Sequence, residues 1–242
     1  MKVCIVTGSS KGLGKIIAKT LVKNGYKVVI NYSSDDSAAL ETQREIELEY
    51  PESQIMIYKA DISSESEVST MVNKVIEKFG SIDILINNAG INIDSVIWKM
   101  EKNNWDKVIA TNLTGAFLCT KHVVPIMRQN NWGRIIFISS IVGQTGAFGA
   151  SNYTASKAGL FGLAKSVAKE VANKNITVNV IACGYITVGM GARLPEEISK
   201  KVLEKIPMGR FGTPEEIADL VLFLTTASYI TGQIISIDGG LT

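Results

Sequence analysis

Histidine is almost missing from this chain. His122 stands alone among 242 residues, so neither a histidine-based catalytic triad nor a polyhistidine metal site can be assembled. The three cysteines, Cys4, Cys119 and Cys183, are odd in number, far apart and without a Cys-x-x-Cys pair. That excludes a disulfide framework and a zinc site and fits a reducing compartment. No basic block exceeds two residues and the formal net charge is only +2, which leaves no footprint for nucleic acid or for an anionic membrane surface. There are five prolines, no linker rich in Pro, Gly or Ser, no low-complexity tract and no repeat of fixed period. Three uncharged stretches, Ile135 to Ser156, Asn175 to Ala192 and Leu220 to Ile237, are long enough to raise a membrane span. Each carries Ser, Thr, Asn, Gln or Gly throughout, and lipid offers such groups no partners, so they are expected to be buried in protein. The apolar run Val3-Cys4-Ile5-Val6 is too short for a signal-peptide core, and the expected location is cytoplasmic.

What is present is ordinary globular material, 46% hydrophobic and 20% charged, with 21 glycines. Short apolar runs alternate with segments of helical period. Strands are expected at Lys2–Thr7, Lys27–Tyr32, Gln54–Ala60, Ile82–Asn87, Arg134–Ser139, Thr177–Ala182 and Ile234–Ile237. Helices are expected at Gly12–Asn24, Ala38–Tyr50, Glu65–Phe79, a long stretch Trp105–Gln129, and Tyr153–Asn173. Strand and helix in strict alternation predict an α/β fold, doubly wound, with helices on both faces of a parallel sheet. Runs such as Ile82-Asp83-Ile84-Leu85-Ile86, apolar on both faces, suit a sheet covered on both sides. One domain, residues 1–242, is expected, with an insertion at about 188–211 that breaks the rhythm and reads as a substrate lid.

After the first strand comes Thr7-Gly8-Ser9-Ser10-Lys11-Gly12-Leu13-Gly14, which opens directly into a helical pattern. Glycines at a strand-to-helix turn let the backbone approach a pyrophosphate, whose charge is met by free N–H groups and the positive end of the helix. Dinucleotide binding is therefore expected here. Tyr153 and Lys157 lie four apart in a helical segment and project from one face. A free phenol, with a pKa of about 10, is a poor acid at neutral pH, and an adjacent ammonium would lower that value.

The spacing Gly8-x-x-x-Gly12-x-Gly14 resembles the loop of the short-chain dehydrogenase/reductase family. Other matches extend over nearly the whole chain: Asp61, Asn87-Asn88-Ala89-Gly90, Asn112, Ser139-Ser140, Tyr153-x-x-x-Lys157 and Asp238-Gly239-Gly240. The resemblance implies a Rossmann-type domain of seven parallel strands, and a homotetramer built on the two long helices. It places cofactor contacts at Gly8, Ser10, Lys11, Gly12, Leu13, Gly14, Asn31, Ser33, Ser34, Asp61, Ile62, Asn88, Ala89, Gly90, Tyr153, Lys157, Gly184 and Ile186. It implies four catalytic residues, Asn112, Ser140, Tyr153 and Lys157. Ser140 and Tyr153 would hydrogen-bond a substrate carbonyl while Tyr153 delivers the proton; Lys157 would also hold the nicotinamide ribose, and Asn112 would distort its helix and anchor a water. No metal is expected.

The second strand ends Asn31-Tyr32-Ser33-Ser34, without the acid that selects NAD by holding the ribose hydroxyls. That absence, the two serine hydroxyls and Lys11 favour the 2′-phosphate of NADPH, while Asp35 and Asp36 just beyond stand against it. Within the family, the run Gly143-Gln144-x-Gly146-x-Phe148-Gly149-x-x-Asn152-Tyr153 and Ile206-Pro207-x-x-Arg210 resemble bacterial 3-oxoacyl-thioester reductases. Phe148-Gly149 and Tyr185 resemble acetoacetyl-CoA reductases, so an NADPH-dependent acetoacetyl-CoA reductase is the preferred reading; the 3-oxoacyl-acyl-carrier-protein reductases, which share most other features, are the alternative. Substrate contacts are expected at Asp94, Ser140, Phe148, Tyr153 and Tyr185, and an acidic carrier protein would meet Arg128, Lys174, Arg193 and Lys200. The chain departs from the family pattern at Cys183, where Pro is usual, and at Val188, with Thr187 displaced by one. A non-catalytic dinucleotide sensor on the same fold, and a sugar, steroid or polyol dehydrogenase, are the competing readings.

Overall fold

A computed structural model of the chain describes residues 1–189 and 195–242. Seven strands, β1 (Val3–Val6), β2 (Lys27–Tyr32), β3 (Ile55–Lys59), β4 (Ile84–Asn87), β5 (Gly133–Ser140), β6 (Ile176–Cys183) and β7 (Ile234–Ile237), form one sheet. Their order is β3-β2-β1-β4-β5-β6-β7 and every neighbouring pair is parallel. The α/β, doubly wound architecture expected from the alternation is the one observed.

The helices that cover the sheet are α1 (Gly12–Lys23), α2 (Asp36–Glu49), α3 (Glu65–Phe79), α4 (Lys102–Ile109), α5 (Gly115–Gln129), α6 (Val142–Thr145), α7 (Ser151–Val171), α8 (Glu196–Leu203) and α9 (Pro214–Thr226). Alternation along each strand sorts side chains into two cores. Val3, Ile5, Ile135 and Phe137 pack on α3, α5 and α7. Cys4, Val6, Ile136 and Ile138 pack on α1, α9 and Ile46 of α2. Strands buried on both faces are what these uninterrupted aliphatic runs require.

Two differences from the sequence reading concern helices. The long stretch expected at Trp105–Gln129 starts earlier, at Lys102, and is broken into α4 and α5 by a π-helical turn, Ala110–Thr114. Helix α9 was not expected, because its apolar interior merges with the uncharged stretch Leu220 to Ile237. The missed signal is a capping box. Thr213 accepts from Glu216 N, Glu216 in turn accepts from Thr213 N at 2.8 Å, and Pro214 occupies the first turn. The predicted insertion 188–211 is described except for 190–194. Its amphipathic stretch is α8, and Arg193 lies outside the described residues. Among the described residues no helix is long and apolar enough to cross a membrane.

The strand order reverses between β1 and β4, the place where α/β sheets open a crevice at their carboxyl ends. Thr7 and Asn88 close its floor. Thr7 Oγ1 accepts from the backbone N–H groups of Asn88 and Ala89, both at 3.0 Å, and Asn88 Nδ2 donates to the carbonyls of Thr7 (2.8 Å) and Gly8 (3.0 Å).

Candidate active site

The glycine loop is held from three sides. Gly8 N donates to Asn31 Oδ1 (3.3 Å), Ser9 N to the Asn31 carbonyl (2.9 Å), and Thr42 Oγ1 of α2 to the Ser10 carbonyl (2.8 Å). A Cβ at Gly8 would lie 2.8 Å from the Ala89 Cα, and one at Gly14 would lie 2.5 Å from both Gly8 O and Asn88 Nδ2. Neither position has room for a side chain. Gly12, at φ +59°, faces open space. Helices α2, α3 and α9 are capped by Asp35, Ser64 and Thr213, whereas α1 has no side-chain cap and no acid in its first turn. Its leading N–H groups are left for an external anion, so the residues present fit a dinucleotide pyrophosphate.

Several expected cofactor contacts are placed differently. Asn31 is buried, and its amide is spent inside the protein. Besides accepting from Gly8 it donates to Ala60 O (3.0 Å) and Tyr58 O (3.4 Å), so its side chain supports the loop and cannot also reach a ribose. Lys11 is not free either. Its Nζ sits 3.1 Å from Asp35 Oδ2, and its side chain is 71% exposed. Ser33 and Ser34 are exposed. Asp61 Oδ1 accepts from Ser63 N (2.9 Å) and Ser63 Oγ (2.8 Å), while the cap of α3 is Ser64. Ile62 turns into the core against Gly115, which leaves its backbone for any ligand contact, and Leu13 packs on the core beneath α1. Gly184 lies against Asp238, where a Cβ would meet the Asp238 Cα at 2.6 Å, and Ile186 pairs with Gly212 in an isolated bridge.

The other half of the crevice is built by β5, α7 and the π-helical turn. Lys157 is buried and donates from Nζ to Ile138 O at 2.9 Å; Ser139 Oγ donates to Lys157 O at 3.0 Å and pins α7 onto β5. A Cβ on Gly90 would lie 3.4 Å from Lys157 Nζ and 3.3 Å from Asn112 Oδ1, so this glycine lets the end of β4 approach both groups. The Lys157 ammonium lies 5.5 Å from the centre of the Tyr153 ring. Burial lowers the Lys157 pKa to about 8.

Burial acts in the opposite sense on Tyr153, whose pKa is raised, with the Ser140 hydroxyl pulling against that rise and the exposed carboxylate of Asp94 adding to it. The expectation that Lys157 lowers the phenol is thereby corrected. Desolvation penalises the phenolate more than any neighbouring charge favours it.

Both amide hydrogens of Asn112 are used, and its oxygen accepts one bond. Its Oδ1 accepts from Ile91 N (2.8 Å), and its Nδ2 donates to Ile91 O (2.9 Å) and Ser156 Oγ (3.0 Å). Ser156 Oγ passes the contact on to Tyr153 O at 2.7 Å. With both amide hydrogens committed, the Asn112 side chain has no donor left for a water, in the turn where the π-helix departs from regular i to i−4 bonding. Ser156 has no place in the sequence reading; its only signal was a small polar residue one position before the lysine. Asn152 adds a second tie, donating to Ile93 O at 2.9 Å.

Cys183 ends β6 opposite Ser140 in the sheet register and is buried. Its pKa is pushed up to about 12, so the thiol stays protonated and inert. Of the expected substrate residues, Ser140 and Asp94 lie close enough to Tyr153 to act on its protonation. Ser140 is half-buried, Tyr185 stacks on Phe211 with ring centres 5.9 Å apart, and Phe148 is 91% exposed between Gly146 and Gly149, both at positive φ. His122 lies 3.4 Å from Glu65 on the α3–α5 face, apart from the site. Among the described residues no three His, Cys, Asp or Glu side chains gather as a metal site.

The family model described as Enoyl-(Acyl carrier protein) reductase matches residues 8–242. The chain is 41% identical over 242 residues to a 3-oxoacyl-[acyl-carrier-protein] reductase of Staphylococcus aureus, covering 99% of this chain and 98% of that one. It belongs to the short-chain dehydrogenase/reductase family. Similar relatives carry the same description in Staphylococcus epidermidis, at 42% identity with coverage of 99% and 98%, and in Thermotoga maritima, at 41% with 99% and 97%. As a short-chain dehydrogenase/reductase the chain is an oxidoreductase acting on CH–OH groups, of a family whose cofactor is a nicotinamide dinucleotide. The reading as a non-catalytic sensor is set aside.

Proposed function

We propose that this enzyme reduces 3-oxoacyl thioesters to 3-hydroxyacyl thioesters with NADPH. The observation that carries this reading is the buried Tyr153 with the Lys157 ammonium 5.5 Å from its ring centre. Reduction of a ketone needs a proton donor at the nascent alkoxide, and burial keeps Tyr153 in its donor form. NADPH supplies the hydride when it is bound. Ser140 and Tyr153 orient the substrate oxygen by hydrogen bonds, and Tyr153 then gives that oxygen its proton. Lys157, held by Ile138 O and 5.5 Å from the Tyr153 ring centre, would hold the nicotinamide ribose. Asn112 and Ser156 keep the tyrosine turn, the π-helical turn and the segment after β4 in one geometry.

An enoyl thioester takes its proton on carbon, whereas a pair of hydroxyls suits a ketone oxygen, and the relatives at 41–42% identity are described as acting on the ketone. They also favour the acyl carrier protein as the thioester carrier. Phe148-Gly149 and Tyr185 support acetoacetyl-CoA as the second reading. Arg128 and Lys174 line one groove between α5 and α7, together with the apolar Phe117, Val124, Leu163 and Val167. That apolar lining supports packing of a second copy there, within a homotetramer; Lys200 stands apart on α8.

The test follows nucleotide oxidation with NADPH and NADH in parallel, against acetoacetyl-acyl-carrier-protein and acetoacetyl-CoA. The expected result is faster turnover with NADPH and with the carrier-protein thioester. Turnover of neither thioester, alongside turnover of a sugar or steroid ketone, would overturn the assignment.

A further inference from the structure

Between the glycine loop, the end of β3 and the start of α2 lie two ion pairs. Lys11 Nζ meets Asp35 Oδ2 at 3.1 Å, and Lys59 Nζ meets Asp36 Oδ2 at 2.9 Å, with Tyr32 Oη donating to Asp36 Oδ1 at 2.9 Å. The local charge is therefore balanced before any ligand arrives. The one cation on the glycine loop, the group expected to meet a 2′-phosphate, already rests on a carboxylate 24 residues away. Asp35 is doubly employed. Its Oδ1 accepts from Ala38 N at 3.1 Å and from Ser37 Oγ at 3.3 Å as the cap of α2, while Oδ2 holds Lys11. The cap and then the lysine keep its carboxyl below the usual range, so it stays charged throughout the physiological span.

We propose that Asp35 is a built-in competitor of the cofactor's 2′-phosphate and sets how strongly this enzyme prefers NADPH over NADH. This inference rests on the nicotinamide-dinucleotide reading given above. A phosphate dianion that reaches Lys11 must share or displace the Asp35 carboxylate and bear its repulsion; a ribose hydroxyl in the same place meets neither cost. Only the phosphorylated nucleotide feels Asp35 strongly, so the residue acts on the ratio and not on dinucleotide binding as a whole. The loop does not need the pair for its position, since Asn31 and Thr42 anchor it independently.

The experiment measures dissociation constants for NADPH and NADH, and kcat/KM for each with acetoacetyl-CoA, in the full chain and in Asp35→Asn. Asparagine keeps a cap on α2 and removes the charge. The expected result is a rise of about three- to tenfold in the NADPH:NADH ratio, carried by tighter NADPH binding, with NADH changed less than about twofold. The gain should shrink as salt is raised, and should vanish in Asp35→Asn combined with Lys11→Ala. A capping Ser at the same position, Asp35→Ser, should repeat the effect. A ratio that stays put or falls in both Asp35 variants overturns the inference, whereas the cofactor reading survives as long as the nucleotides bind. Binding of neither nucleotide overturns both. Because dissociation constants need no acyl substrate, failure of the thioester assignment leaves this test intact.

Discussion

The two halves of the crevice use charge in opposite ways. At the adenosine end the ionic groups are exposed and paired: Lys11 with Asp35, Lys59 with Asp36. Water screens them, so they contribute little to the fold. Around Tyr153 the polar groups are buried: Lys157, Ser139, Asn112, Ser156 and Tyr153 itself, tied to backbone groups and to one another. There burial sets the protonation states, raising the phenol and lowering the ammonium. Recognition is adjustable at one end, while at the other chemistry is fixed by the scaffold.

The largest effect expected from breaking the contrast is at Tyr153. Tyr153→Phe removes the proton donor and leaves the ring packed with Val108 and Ala150. It should lower kcat by about 10²- to 10⁴-fold with nucleotide dissociation constants nearly unchanged. A variant with a near-normal rate would show that the proton comes from elsewhere.

The pH profile sharpens the same point. With the Lys157 pKa lowered to about 8, kcat/KM for reduction should fall as pH rises through that value and the ammonium is lost. The sign for folding is the reverse. Between about 8 and the ordinary 10.5 the unfolded chain holds a proton at Lys157 that the folded chain has released, so this lysine's cost to stability diminishes as pH rises across that window. A kcat/KM profile flat from pH 7 to pH 9 would show that the charge on Lys157 is not used.

The smallest effect belongs to the exposed half. Lys59→Ala removes an ion pair whose two side chains are about half exposed. It should leave Tm within about 1 °C of the parent; a larger loss in thermal unfolding would mean that the adenosine end is mechanically coupled to the core.

The fold was legible because both of its signals are local. Aliphatic runs such as Val28-Val29-Ile30 and Ile135-Ile136-Phe137-Ile138 mark strands without ambiguity, and the glycine loop follows β1 directly. Tyr153 and Lys157 were legible for the same reason, one helical turn apart. What could not be read depends on separation along the chain. The partner of Lys11 is 24 residues away, and Asn112 meets Ser156 across 44. The amide of Asn31 is used up by β3 and the loop, which no property of the Asn31-Tyr32-Ser33 run announces. The sign of the Tyr153 shift is not legible in sequence, because a charge four residues away is visible there and the burial of the phenol is not. Helix α9 was lost to an uncharged run although Thr213-Pro214-Glu215-Glu216 marks its beginning.

The bonding around Asn112 demands a specific polarity at that position. One oxygen must face an N–H at Ile91 while the nitrogen faces both the Ile91 carbonyl and the Ser156 hydroxyl. An aspartate has almost the same shape, yet an ionised carboxylate would turn a second lone-pair oxygen toward that carbonyl with no hydrogen between them. Shape alone therefore does not qualify a residue here: a carboxamide can read both the N–H and the C=O of one residue, and an acid cannot.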